Sequence, residues 1–147
     1  MNPAVYEQDF AQWAFDQAEL MRSGRFSSLD LGNLIEEIEC MGRSEYRALS
    51  SRMTVLVGHL LKWRFQPAYR GNSWRRTIKV QRRDILRLLK ESPSLKTRLG
   101  DEQWLGEIWQ DAVGDAAEET GIDETRFPGK PIWTAADMLN PDFFPEG

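Results

Sequence analysis

Hydrophobic residues recur every three to four positions along most of the chain, which places them on one face of an α-helix. No segment has the alternating period or the β-branched runs that are typical of strands. A first helix is predicted to begin at Asn2, its N-cap, with Pro3 at its first position, and to stop at Gly24. Its inward face is predicted to consist of residues at helical spacing: Tyr6, Phe10, Trp13, Gln17 and Leu20.

Two further helices are predicted before the middle of the chain. The shorter one covers residues 31–41, with Asp30 as its N-cap and Gly42 as the residue that ends it. The longer one covers residues 44–65 and is ended by Pro67, because proline disfavours helical geometry in the preceding residue. The shorter helix is predicted to bury a single apolar stripe: Leu31, Leu34, Ile35, Ile38 and Met41.

The same spacing predicts two more long helices in the second half. The fourth helix is predicted to start at a cap formed by Asn72 or Ser73. The fifth is predicted to open at Gly100 and Asp101, to run to about Thr120, and to be stopped by Gly121. The fourth helix has a clear inward stripe: Trp74, Ile78, Gln81, Ile85, Leu88 and Leu89.

The last residues differ in composition from the helical part. Residues 122–147 are rich in proline and aromatic side chains, and they predict an extended arm with one short helical turn capped by Thr134. Large apolar side chains gain roughly 1.5–3 kcal/mol each on burial, so we expect the arm to lie across the helices. The fold expected is one all-α domain over residues 1–147, with a four- or five-helix bundle at 1–121 and the arm packed on it.

Composition limits the class of protein. The chain has 147 residues, of which 41% are hydrophobic and 29% are charged, as in soluble globular domains. The only cysteine, Cys40, has no internal disulfide partner, which favours a reducing cytoplasm. No window resembles a signal peptide or a membrane span, so no membrane association is expected.

Charge is distributed unevenly around a net value of −4. Residues 62–98 contain twelve basic and two acidic side chains, whereas residues 101–147 contain two basic and twelve acidic ones. The basic part predicts a positively charged surface on the fourth helix: Arg75, Arg76, Lys79, Arg82, Arg83 and Arg87. Nucleic-acid binding at residues 74–90 is one hypothesis, but no recognised motif accompanies these charges. Neutralisation by the acidic fifth helix, or plain solvation, is the favoured interpretation.

His59 is the only histidine and stands at the edge of the stripe of the third helix. One hypothesis makes it part of a polar enzyme or ligand site, oriented by a carboxylate of the preceding helix. The candidate carboxylates are Glu36, Glu37 and Glu39. A hydrogen-bonded structural histidine and solvated glutamates are the favoured alternative. A di-metal site in a helical bundle requires a Glu-x-x-His motif on each of two helices. A chain with a single histidine cannot contain that motif twice.

No other residue pattern points to chemistry. The sequence contains no P-loop and no nucleophile-elbow string, and a lone helical cysteine such as Cys40 is typically a small hydrophobe. We therefore predict no catalytic residue, no metal ligand and no cofactor, and leave enzymatic activity undecided. A protein-interaction module, which binds another protein or a second copy of itself through a helix face, is the favoured function.

Three short pieces in a fixed order carry a family resemblance. They are "EEIE" followed by Met41 and Gly42, then "HLLKW" from His59, and "SPSL" from Ser92. With them the chain, from about Tyr6 to Phe144, resembles a bacterial domain-of-unknown-function family, DUF family 29. The resemblance implies a compact stand-alone protein with no established activity, and it carries no catalytic residues.

Overall fold

The computed structural model describes residues 3–146, and within that range the chain forms helices and no strands. The predicted all-α class is therefore confirmed. The six α-helices are α1 (Pro3–Gln8), α2 (Phe10–Arg22), α3 (Leu31–Phe65), α4 (Asn72–Glu91), α5 (Glu102–Thr120) and α6 (Ala135–Leu139). Short 3₁₀ segments connect them at Phe26–Ser28, Pro67–Tyr69, Pro93–Gly100 and Glu124–Arg126.

By its internal contacts the chain divides into two compact units. The first, termed the N-terminal unit, comprises residues 1–44, and the second, termed the core unit, comprises residues 45–147. The predicted arm at residues 122–147 belongs to the core unit. The prediction of one domain over the whole chain stays a prediction.

The first predicted helix is interrupted in the structure. Asp9 has a non-helical backbone (φ −147°), and its carboxylate accepts a hydrogen bond from the Gln12 amide at 3.1 Å, so it caps a new helix. The predicted stop is confirmed, because α2 ends at Arg22 and Gly24 adopts the left-handed φ of 75°. The predicted N-cap, Asn2, lies outside the described residues.

The second and third predicted helices are one continuous helix, α3. The predicted break at Gly42 was wrong, because this glycine keeps helical geometry and does not adopt a positive φ. A glycine inside a helix costs only about 1 kcal/mol relative to alanine. The neighbouring helix formers therefore extend the helix through it. The end of α3 at Phe65, before Pro67, is as predicted.

Polar contacts around Asp30 connect the helices within the N-terminal unit. The Trp13 indole donates to the Asp30 carboxylate at 3.0 Å, and the Asp30 amide donates to the Gln17 side-chain oxygen at 2.8 Å. The Tyr6 hydroxyl donates to the Glu37 carboxylate. Asp30 also caps α3, as predicted, by accepting from the Asn33 amide. Only Trp13 and Gln17 are buried among the described residues of this unit.

The core unit is built on the inward faces of α3, α4 and α5. The predicted stripe of α4 is confirmed, since Ile78 and Ile85 are fully buried and Leu88 nearly so. The predicted cap of α4 was wrong by one residue, because Gly71 precedes the first helical residue, Asn72. The predicted ends of α5 are correct: the Asp101 carboxylate accepts from two amides, and Gly121 ends the helix at φ 75°.

The C-terminal arm packs on the helices of the core unit, as predicted. Phe127 is buried, and the Trp109 indole donates to the Pro128 carbonyl at 2.7 Å. The Trp133 ring meets Trp109 edge to face at 5.2 Å between centroids. Thr134 forms the predicted cap of α6 through a reciprocal capping box with Asp137.

Candidate functional site

His59 lies on α3 in the core unit and is half-buried. Its Nδ1 atom is 2.9 Å from the Val55 carbonyl oxygen, so Nδ1 carries the proton and donates. In the neutral ring Nε2 is then an acceptor, and the Lys62 ammonium donates to it at 3.4 Å. Burial lowers the pKa of His59 below 6.5, so the ring is neutral around pH 7. Both ring nitrogens have a structural partner.

Lys62 is the residue of this region that sequence reasoning missed. Its side chain is only 7% exposed, and its ammonium forms an ion pair with Glu119 of α5. The ammonium also lies 5.4 Å from the centre of the Trp74 ring. The sequence signal for an ion pair was a lysine set among apolar residues in the string "HLLKW", since charged residues are rarely buried unless they are paired. Its partner comes from another helix, which periodicity does not identify.

The three candidate glutamates share no partner with His59. Glu36 and Glu39 each lie near Arg43, at 3.2 and 4.0 Å, and Glu37 accepts the Tyr6 hydroxyl. All three belong to the N-terminal unit, whereas the hydrogen bonds of His59 lie within the core unit. The hypothesis of a polar site formed by His59 and these glutamates gains nothing from these contacts.

The basic side chains of α4 are not neutralised by α5. Among residues 5–146, the ion pairs of α4 all involve Asp84, which is shared by Arg52, Arg83 and Arg87 at 3.1, 3.3 and 3.9 Å. Arg75, Arg76 and Lys79 take part in none of them. Among these residues α5 therefore supplies no ion-pair partner to α4, and its Glu119 pairs instead with Lys62 of α3.

Arg82 does not belong to the predicted basic surface, because it is 3% exposed. Its guanidinium donates to three backbone carbonyls near the end of the chain, those of Met138, Pro141 and Phe143, at 2.7, 3.4 and 2.7 Å. Burial lowers the pKa of Arg82 below its ordinary value. The other five predicted basic residues are exposed.

The acidic residues of α5 line an open groove of about 720 Å³ beside α3. Its carboxylates come from Asp111, Asp115, Glu118 and Glu124, and Ser50 and Thr54 contribute hydroxyls. No group of three or more His, Cys, Asp or Glu side chains in the described part of the chain has the arrangement of a metal site.

The N-terminal unit exposes an apolar face on α3. The sequence predicted that this stripe would be buried, but four of its members are more than half exposed. They are Leu31, Ile35, Ile38 and Met41, at 59, 55, 60 and 65%, and are termed the apolar α3 face. Leu34, the fifth member, is half-buried. The prediction that these residues form one face was correct, and the prediction that they are covered was wrong.

The fold and these surfaces define an all-α protein. The chain matches, over residues 5–144, the family described as "Domain of unknown function DUF29". It belongs to this family, as the three sequence pieces indicated. A search among curated proteins gave no match, and neither did a search among solved structures.

None of the helices between residues 3 and 146 combines the length and the apolar character that crossing a bilayer requires.

Proposed function

We propose that this chain is a protein-interaction module, and that its apolar α3 face receives an amphipathic helix with basic flanks from another protein. The observation that carries the proposal is the exposure of Leu31, Ile35, Ile38 and Met41 along one helix. The first three stand at i, i+4 and i+7, the spacing at which one helix anchors another.

The small core of the N-terminal unit supports the proposal. Segments of about 40 residues seldom bury enough apolar surface to be stable without disulfides, metals or association. Cys40 is free and exposed, so no disulfide reinforces this unit. Eight of the thirteen large hydrophobic side chains that are exposed in the described residues lie before residue 45. Covering them would remove apolar surface from water at about 25 cal/mol per Å².

The charge of the N-terminal unit indicates which kind of partner helix would bind to the apolar α3 face. Residues 1–44 contain eight acidic and three basic side chains. Glu36 and Glu39, beside the apolar face, share a single arginine, Arg43, and are 65% and 60% exposed. A partner with lysine or arginine beside its apolar stripe would be attracted, whereas a second copy would bring the same negative charge. The cytoplasm suits this role, because exposed Cys40 stays reduced there.

The test uses a labelled synthetic helix of leucine and lysine at amphipathic spacing, with fluorescence anisotropy as the readout. A matched peptide carries glutamate in place of lysine. We expect the lysine peptide to bind and the glutamate peptide to fail. Ile38→Asp should weaken binding about tenfold or more, since about 1.4 kcal/mol of lost apolar contact corresponds to a factor of ten. The control is Ile132→Asp, which changes a residue of similar exposure on the arm (52%) and should bind normally.

Equal binding by the Ile38→Asp and Ile132→Asp variants would overturn the proposal. Light scattering, which measures the oligomeric state, is the second test. A wild-type dimer that becomes a monomer on Ile38→Asp would show that a second copy occupies the face, and the basic partner would then be rejected.

A further inference from the structure

A cleft in the core unit combines apolar walls with positive charge. It lies between α4 and the C-terminal arm and has a volume of about 490 Å³. Its lining comprises Arg75, Lys79, Arg82, Arg83, Leu86, Pro141 and Phe144. We infer that this cleft, termed the α4–arm cleft, binds a small amphiphilic anion: a carboxylate or phosphate group attached to an aliphatic or aromatic body.

The charge in the cleft is poorly compensated within the chain. Arg82 is buried, yet its hydrogen bonds go to uncharged carbonyls, so its positive charge is not cancelled by an ion pair. Arg75 and Lys79 form no ion pair among residues 5–146. The carboxylate that reaches Arg83 is Asp84, which two other arginines share. Asp142, on the arm, is the acidic group whose charge acts on Arg82. Four cations against these two carboxylates leave a net positive field.

The walls of the cleft suit an apolar body. The Phe144 ring packs against Trp63 at a tilt of 53°, with 5.0 Å between ring centres, and the guanidinium of Arg75 lies 5.5 Å from the centre of the Phe144 ring. Leu86 is 48% exposed, although leucine usually gains from burial, and it faces this cleft from α4. Low-dielectric walls strengthen the attraction between fixed cations and an anion inside them.

The cleft is also held in shape before any ligand arrives. Arg82 ties the carbonyls of Met138, Pro141 and Phe143 to α4, which fixes the arm that forms one wall. A preformed wall spares the ligand the entropic cost of ordering it. Small-molecule sites are mostly preformed, apolar clefts of about 300–1,000 Å³ with a few placed polar groups, and this cleft has those properties.

A small ligand fits better than a nucleic acid. The cations that line the cleft surround a half-open, mainly apolar volume, while Arg76 and Arg87 of the same helix lie outside its lining. A nucleic-acid backbone is instead contacted by cations spread along an open groove, and its affinity depends steeply on salt. A nucleic acid would therefore contact Arg76 and not need the apolar wall. A small amphiphilic anion would contact the apolar wall and not need Arg76.

The experiment is calorimetric titration of the full chain with decanoate. Two half-ligands serve as comparisons: acetate, which has the carboxylate without the aliphatic chain, and decanol, which has the aliphatic chain without the carboxylate. We expect decanoate to bind at least about tenfold more tightly than either, because each half-ligand lacks one of the two recognised groups. Lys79→Glu should weaken decanoate binding about tenfold or more. The matched control is Arg76→Glu, which makes the same charge change on α4 outside the cleft and should alter the affinity less than about twofold. Both residues are exposed, so neither change disturbs the core.

Three results would overturn the inference. The first is equal weakening by Lys79→Glu and Arg76→Glu, which would mean general charge attraction. The second is binding to vesicles of anionic phospholipid without binding to free decanoate, which would assign the cleft to a membrane headgroup. The third is salt-sensitive binding of a labelled oligonucleotide that both substitutions abolish, which would assign the α4 surface to nucleic acid.

Discussion

The Arg82 side chain donates its Nε hydrogen to the backbone carbonyl of Met138, 56 residues further along the chain, at a distance of 2.7 Å. The same guanidinium reaches two more carbonyls of the arm. One side chain therefore supplies donors to carbonyls in α6 and in the irregular segment that follows it, because buried carbonyls require a donor.

Replacing Arg82 by methionine should destabilise the fold. Three carbonyls would lose a charged donor, and hydrogen bonds to charged groups are worth about 1.5–3 kcal/mol, so we expect a loss of about 2–3 kcal/mol. Arg82→Lys should recover only part of it, because an ammonium lacks the planar fork. Urea unfolding measures both. The control is Arg83→Met, at an exposed neighbour, which should change the free energy of unfolding by less than about 0.5 kcal/mol. Similar midpoints for the Arg82→Met and Arg83→Met variants would contradict the structural role.

The ion pair between Lys62 and Glu119 predicts two substitutions with different outcomes. Glu119→Gln leaves a buried ammonium without its carboxylate, and because Glu119 is half-exposed we expect a loss of only about 1 kcal/mol. Lys62→Met removes the buried charge and fills the same space, so it should be neutral or stabilising. Thermal unfolding distinguishes them. A Lys62→Met variant less stable than Glu119→Gln would contradict this prediction and show that Lys62 stabilises the fold through its contacts with His59 and Trp74.

His59 should contribute an acid-sensitive component to stability. Burial, the largest cause, lowers its pKa in the folded state, and the neighbouring Lys62 charge acts in the same direction. The unfolded chain therefore binds a proton near pH 6.5, while the folded chain stays neutral to lower pH. The contribution is complete above pH 6.5 and is lost as the pH falls through that value towards the folded pKa.

The check is urea unfolding of wild type and His59→Asn at pH 7.5 and pH 5.5. Wild type should lose more stability between these pH values than the variant, whose amide does not titrate. An identical loss in both proteins would show that His59 does not bind its proton differently on folding.

The two kinds of glycine geometry give a matched pair of substitutions. Gly42 has helical geometry, and a Cβ there would meet nothing within 4 Å, so Gly42→Ala should stabilise the protein by about 0.5–1 kcal/mol. Gly121 has φ 75°, where an L side chain is strained, so Gly121→Ala should destabilise it by about 1–2 kcal/mol. Changes of the same sign in urea unfolding would contradict this assignment.

Periodicity predicted helix faces well, because it reports which side chains share a side of a helix. The stripe with Ile78 and Ile85 is buried as expected. Local chemistry also predicted the ends of α5, since the Asp101 cap and the Gly121 stop act within one turn. These features depend only on near neighbours in the sequence.

What the sequence did not predict depends on distant partners. Ile35 and Ile38 lie on a proper apolar face, yet periodicity does not say what covers that face, and within this chain it is exposed. Arg82 was counted with the surface arginines because its acceptors come from the arm. Lys62 was overlooked for the same reason, since its carboxylate partner is 57 residues away. The burial of Arg82 and Lys62 therefore depends on contacts with residues that are distant in the sequence, which helical spacing does not report.

The placement of the six tryptophans gives each unit its own optical reporter. Trp13 is the only one in residues 1–44, and it is almost fully shielded beside the Asp30 carboxylate. The other five belong to residues 45–147. A Trp13→Phe variant isolates the share of the emission that comes from Trp13, so the difference in quenching between wild type and this variant follows the opening of the first unit. A pair of fluorescence experiments can thus time the loosening of one part of the chain against the melting of the other.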